Sequence, residues 1–205
     1  MTDSQATLFP QRTVTELVAD INELTQEIQE LYCSDDIPWI IGVSWGKDST
    51  TILQLIWNAV YQLPEKKRHK SVYVITTDTL VENPIVAAWV RRSMKQLKIA
   101  AEKKNMPFEP HLLFPDPKAS FWSCLMGKGY PAPRNGFRWC TDRMKIQPVN
   151  RFIRDKVRSH GETIIVLGAR KAESQTRAKT LKKHQAGRLR NRLNVNPRLP
   201  NSLVY

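Results

Sequence analysis

Ser44-Trp45-Gly46-Lys47-Asp48-Ser49 joins an apolar run to a helical pattern, and its residue types suit a phosphate. Pro38 to Val43 reads as a buried parallel strand, and Ser49 to Trp57 carries apolar residues at helical spacing. A small-residue loop between the two would aim backbone N–H groups and a helix N-terminus at one point, which binds anions. The common triphosphate loop, G-x-x-x-x-G-K-[ST], is matched only at Gly46-Lys47. Three further sets of residues could do chemistry. Asp78, at the end of a second apolar strand, could hold a ribose hydroxyl or Mg²⁺, or simply cap a turn. Cys140 lies between Arg138, Arg143 and Lys145, cations that would lower a thiol pKa; the alternative is an inert buried cysteine. Gly168-Ala169-Arg170, with Arg177 beyond it, follows another strand, where the arginines could fork phosphate oxygens or form a solvated basic face.

Regular elements are needed to bring these residues together. The spacing predicts a helix over Val14 to Tyr32, with Leu17, Val18, Ile21, Leu24, Ile28 and Leu31 along one side. A strand, the loop and a helix to about Leu63 follow. Ser71 to Thr76 is a second strand, Asn83-Pro84 starts a helix to about Lys104, and Phe108 to Phe114 is a third strand. Pro115 to Gly136 reads as irregular, with a short helix near Ser120 to Trp122. Ile146 to His160 is helical and Thr163 to Gly168 a fourth strand. Alternating strands and helices predict an α/β fold with a doubly wound, mainly parallel sheet, whose ligands bind beyond the carboxyl ends of the strands. The Ser44 loop, Asp78 and Gly168 all fall at such ends. The expected division is an N-terminal helix over 1–36, a nucleotide-binding domain over 37–178 and a basic segment over 179–205.

The 205 residues carry a formal charge of +13. Residues 168–205 hold ten Lys/Arg against one Glu, which points to a polyanion partner. Lys179, Lys182, Lys183, Arg188, Arg190 and Arg192 would follow a phosphate backbone without reading bases; the alternative is a solubilising segment. No run of 18 apolar residues suggests a membrane span, and Met1 to Gln5 does not open a secretory signal. With three cysteines, an odd number, the expectation is a reducing cytoplasm.

The loop resembles the S-G-G-x-D-S pyrophosphatase loop, or PP-loop, whose owners split ATP between the α and β phosphates. Ser44, Gly46, Asp48 and Ser49 match, while Trp45 stands where the family has glycine. If that position needs φ > 0, tryptophan is strained there by about 1–3 kcal/mol. With the aspartate after the second strand, the Arg-x-Cys segment and Gly168-x-Arg170-x-x-Glu173-Ser174-x-x-Arg177, the chain resembles the phosphoadenosine phosphosulfate (PAPS) reductase group of the PP-loop superfamily. Thr79 to Pro84, Gly127 to Arg134, Phe137 to Thr141 and Leu199 to Tyr205 look like the DndC family of DNA phosphorothioation and the related SspD family. The likeness covers about residues 10 to 205. DndC-like proteins continue past the last segment, so the resemblance implies a short member or a truncated chain.

The resemblance implies that ATP, with Mg²⁺, adenylates a DNA backbone phosphate, so that sulfur can replace a non-bridging oxygen. Ser44, Trp45, Gly46, Lys47, Asp48, Ser49, Asp78, Gly168, Arg170 and Arg177 would bind ATP, with Lys47 and Asp48 supporting cleavage. Trp45 would either stack on a base or block the pocket. Cys140 would carry sulfur or ligate an iron–sulfur cluster. A four-iron cluster takes four thiolates, and the chain has only Cys33, Cys124 and Cys140, the first two read as structural. Implied partners are DNA, a cysteine desulfurase as sulfur donor and other phosphorothioation proteins. The rival readings are a PAPS reductase, a sulfate adenylyltransferase small subunit, and a DNA-binding subunit with a disabled loop.

Overall fold

The computed structural model describes residues 13–134, 136–168, 194–195 and 202–204. Helix α1 (Val14–Cys33) starts at a reciprocal cap: Glu16 N–H donates to Thr13 Oγ1 at 3.3 Å and Thr13 N–H to Glu16 Oε2 at 2.8 Å. Strand β1 (Trp39–Gly42) leads into α2 (Lys47–Gln62), and β2 (Val72–Thr77) into α3 (Pro84–Lys103). Asn83 Oδ1 accepts from Ile85 N–H at 2.9 Å and Pro84 opens α3, so the start signal read from the sequence is the one used. Strand β3 (Phe108–Leu113), the one-turn helix α4 (Trp139–Thr141), α5 (Gln147–His160) and β4 (Thr163–Leu167) follow. Gly161, at φ 84°, ends α5 in a conformation that disfavours a Cβ.

The sheet runs β3-β2-β1-β4, all parallel, and is extended by β6 (Ser202–Val204), parallel to β4, and β5 (Asn194–Val195), antiparallel to β6. The fold is therefore the doubly wound, mainly parallel α/β architecture expected. Alternation along the strands makes its two layers. Trp39, Ile41, Val72, Val74, Ile164 and Val166 pack with α1, α2 and α3; Ile40, Tyr73, Ile75 and Ile165 pack with Ile153 of α5.

Three features differ from the sequence reading. The apolar stripe of α1 packs only at its C-terminal end. Leu31 and Tyr32 are buried, whereas Leu17, Val18, Ile21 and Leu24 are exposed because the helix runs past the edge of the core. The last helical stretch before β4 starts at Trp139 rather than Ile146, passing through a wide turn at Asp142–Ile146 into α5. Strands β5 and β6 lie within the segment set apart as basic, and Ser202 is fully buried in the sheet. Strands of two and three residues beside Asn, Pro and Arg are too short to show a period. Pro115 to Arg134 is largely irregular, with single turns at Pro117–Ala119 and Ser123–Gly127.

Candidate functional site

The chain reverses its winding between β1 and β4: β2 and β3 lie on one side of β1, β4 on the other. In such sheets the crevice beyond the strand ends at this point takes the ligand. A cavity of about 440 Å³ opens there. Its walls include Gly42 to Ser44 and Ser49 from the β1–α2 loop, Thr76 to Asp78 from β2, and Leu167-Gly168 from β4. Val86, Ala87 and Val90 of α3 and Lys145 and Val149 from α5 and the turn before it complete it.

The loop is held by its own serines. Ser49 Oγ accepts from Ser44 N–H at 3.2 Å, lies 3.1 Å from Ser44 Oγ and donates to Gly46 O at 3.2 Å. Gly46 is the N-cap of α2 and has no side chain to offer, so no side-chain cap covers the first turn at Lys47, Asp48 and Ser49. Gly168 comes close behind it: a Cβ there would meet Ile52 Cδ1 at 2.8 Å and Ser49 Cα at 3.5 Å. The end of β4 thus lies against the first turn of α2, as the sequence placed it.

Trp45 adopts φ 59°, the left-handed conformation in which a glycine would be unstrained. Its indole leaves the loop and packs against the core of β1, α2 and β4; it is not part of the cavity wall. The ring is partly buried on the core side of the loop, away from the described residues that line the cavity. Burial of the ring offsets the backbone strain, although Trp45 Nε1 is left buried without a hydrogen-bond partner.

Asp78 is buried and already engaged. Its Oδ1 accepts from Leu80 N–H at 2.9 Å, and its Oδ2 accepts from Arg91 Nη2 at 3.0 Å. The turn role weighed for it is thus filled, which leaves only its outer lone pairs for a ligand. Two residues of the site escaped the sequence reading. Glu82 Oε1 accepts from Thr79 Oγ1 at 3.3 Å and lies 3.6 Å from Lys145 Nζ, so the pair ties the end of β2 to the turn before α5. Lys145 was grouped with the Cys140 thiol, yet it is the cation among the described cavity-wall residues. Nothing in its local sequence marks that place, because Glu82, its partner, is far away in the chain.

Cys140 is half-buried beside a small separate core of Cys124, Trp139 and Met144. Trp139 fixes this core: its Nε1 donates to Pro131 O at 2.9 Å, and its ring stacks on Phe121 at 5.4 Å. Cys124 is fully buried, Cys33 is exposed at the end of α1, and all three thiols are free. Among the described residues no group of three His, Cys, Asp or Glu side chains is placed to hold a metal, so these thiols do not fit a cluster ligated within the described chain. No described helix is long and apolar enough to cross a membrane. Arg170, Arg177, Lys179, Lys182, Lys183, Arg188, Arg190 and Arg192 lie outside the described residues.

The fold resembles solved structures at low identity. A PAPS reductase from Candida auris, in a phosphate complex, aligns at 15% identity and TM-score 0.49, over 95% of this chain and 78% of that one. The U34-tRNA thiolase NcsA from Methanococcus maripaludis, with its 4Fe-4S cluster, aligns at 12% identity and TM-score 0.48, over 91% of this chain and 59% of that one. Comparison with curated proteins produced no match. The model of the phosphoadenosine phosphosulfate reductase domain matches residues 38–200, from the first residue of the β1 run to beyond β5 and so across the whole cavity wall. The chain belongs to the phosphoadenosine phosphosulfate reductase domain family.

Proposed function

We propose that the chain is an ATP pyrophosphatase that adenylates a DNA backbone phosphate for sulfur insertion. The observation that carries this reading is the N-terminus of α2, which has no side-chain cap, beside a nucleotide-sized cavity at the reversal of the sheet. A non-bridging DNA oxygen attacks the α-phosphorus of ATP, pyrophosphate leaves, and hydrosulfide or an equivalent donor then displaces AMP. The α2 N–H groups and Lys47 stabilise charge on the departing pyrophosphate. The Ser44–Ser49 contacts hold the loop in the conformation that presents them. Glu82 orients Lys145 toward the anion in the cavity. Mg²⁺ would ride mainly on the triphosphate, as this small hard ion does with few protein ligands. Arg170 and Arg177 are proposed to clamp the nucleotide and residues 179–192 to bind DNA; Cys140 is proposed to carry sulfur from a cysteine desulfurase as a persulfide, from which a dithiol reductant frees the hydrosulfide that displaces AMP, leaving the Cys140 thiol and the oxidised dithiol.

The test is to incubate the protein with ATP, with and without DNA, and follow pyrophosphate and AMP. Pyrophosphate release, stimulated by DNA, is the expected result; no release under either condition overturns the reading. The family match favours a second reading, a reductase acting on a small sulfonucleotide. It predicts sulfite release from PAPS in the presence of a dithiol reductant and no ATP cleavage.

A further inference from the structure

We propose that the outer face of α3 is a track for single-stranded nucleic acid that leads to the cavity; this rests on the reading of a nucleic-acid phosphate as substrate. One side of α3 is committed to the site: Val86, Ala87 and Val90 form cavity wall, and Arg91 holds Asp78. The outer stripe is Ile85, Trp89, Arg92, Gln96, Ile99 and Lys103, spaced at helical intervals along the 20-residue helix. It is unusual in both its apolar and its charged members. Ile85 is 78% exposed and Trp89 58% exposed, so the stripe sets an open aliphatic side chain and an open ring one turn apart on one face of the helix. The helix carries Arg91, Arg92, Lys95, Lys98 and Lys103 against the single acid Glu102.

Two of those cations have partners, Arg91 with Asp78 and Lys98 with Glu102 at 4.0 Å, whereas Arg92, Lys95 and Lys103 face solvent. Cations spaced along a line, with an aromatic ring among them, suit a polyanion whose bases have π-faces. The ring favours a single strand over a duplex, because a paired base is already stacked on its neighbours. A helix of this length runs about 30 Å, room for several nucleotides. Trp89 lies three residues after the wall residue Val86 and directly before Val90, so it borders the cavity side of α3, and a base stacked on it places the adjacent backbone phosphate toward the cavity mouth.

The test uses the full chain and a fluorescein-labelled oligothymidylate, with affinity measured across a salt series. Trp89→Ala is expected to weaken binding about 5- to 150-fold at fixed salt while leaving the salt slope unchanged, as loss of one stacked base should. Trp89→Phe should recover most of the loss. Replacing Arg92, Lys95 and Lys103 together by Gln should reduce the log–log salt slope by about 2, at about 0.7 per lost contact on a single strand. All these residues are exposed, and pyrophosphate release from ATP without DNA serves as the control for folding and the nucleotide site. If the unmodified protein binds the oligonucleotide and every α3 variant binds equally well, the track is wrong while the DNA reading stands. If the unmodified protein binds no oligonucleotide, both fail. A Trp89→Ala effect on duplex as large as on single strand overturns the assignment of strandedness.

Discussion

At the scale of single residues, Trp45 shows why identity and role separate. The residue type at this position predicts either stacking or obstruction, since a loop residue is expected to face the loop's ligand. The left-handed φ instead carries the indole to the core side. Trp45→Gly should therefore relieve strain and lose packing together. With glycine's extra unfolded-state entropy, net stability should fall by about 1 kcal/mol. ATP affinity, measured by calorimetric titration, should stay within about threefold. A tenfold loss would show that the indole acts on the nucleotide after all. Asp48→Ala is expected to abolish pyrophosphate release while lowering stability to urea by no more than about 1 kcal/mol, the scale of an acid in the first turn of a helix. Undiminished release would remove Asp48 from the machinery. Cys140→Ser tests the other half of the proposed reaction: on that reading, phosphorothioation in cells should disappear while pyrophosphate release in vitro continues. Survival of the modification would make Cys140 a packing residue of its small core.

At the scale of elements, the sequence was readable wherever one periodicity ran long enough and a chemical signal marked its end. The Asn83-Pro84 start is such a signal, and α3 matches its expected limits closely; the Thr13–Glu16 cap and Gly161, which the sequence reading did not use, bound α1 and α5 where their periodicity ended. Strands β1, β2 and β4 were legible because burial on both faces makes them continuous apolar runs. The turn at Asp142–Ile146 was not, because its wide winding breaks the 3.6-residue period that would reveal it. The approach of Lys145 to Glu82 was hidden for the same reason, and because it joins residues 63 positions apart (145 − 82). Asn83 offers a direct test of how firmly one cap holds the site. Asn83→Ala should cost about 1 kcal/mol, lowering Tm by roughly 2–4 °C. Because α3 supplies both cavity wall and Arg91, it should also raise the KM for ATP while leaving kcat nearly unchanged. An unaltered Tm would mean that the fixed φ of Pro84 alone suffices to start the helix.

At the scale of the whole molecule, the chain joins α1 to the sheet through one buried polar knot. Tyr32 Oη donates to Lys70 O at 2.9 Å, and Lys70 Nζ meets Asp35 Oδ1 at 2.8 Å and faces the rings of Tyr32 and Trp39 at 5.0 and 5.3 Å. Nothing local in the sequence pairs these positions; Asp35 precedes β1 and Lys70 precedes β2, and the parallel register of the two strands, Trp39 opposite Val72, brings them together. Burial raises the Tyr32 phenol from 10.0 to about 12, and burial lowers the Lys70 ammonium below its ordinary value despite Asp35. The two act in opposite directions on stability. Below its folded pKa, Lys70 is protonated in both states. From there to about pH 10.5 the unfolded chain binds more protons at this site, so stability rises with pH. From pH 10 to about 12 the unfolded phenol ionises while Tyr32 in the folded chain keeps its proton, so the folded state binds more protons and stability falls. Unfolding free energy, measured by urea titration in steps from pH 8 to 12, should hold or rise and then drop by about 2–3 kcal/mol above pH 10. Tyr32→Phe should flatten that alkaline drop at a cost of about 1 kcal/mol near neutrality for the lost hydrogen bond. Lys70→Met removes the rising limb but leaves Asp35 without its cation; Asp35 keeps enough contact with water that the loss should stay below the 3–5 kcal/mol of a fully buried broken pair. If the alkaline drop persists in Tyr32→Phe, another group carries it, and the phenol is not what ties α1 to the sheet at high pH.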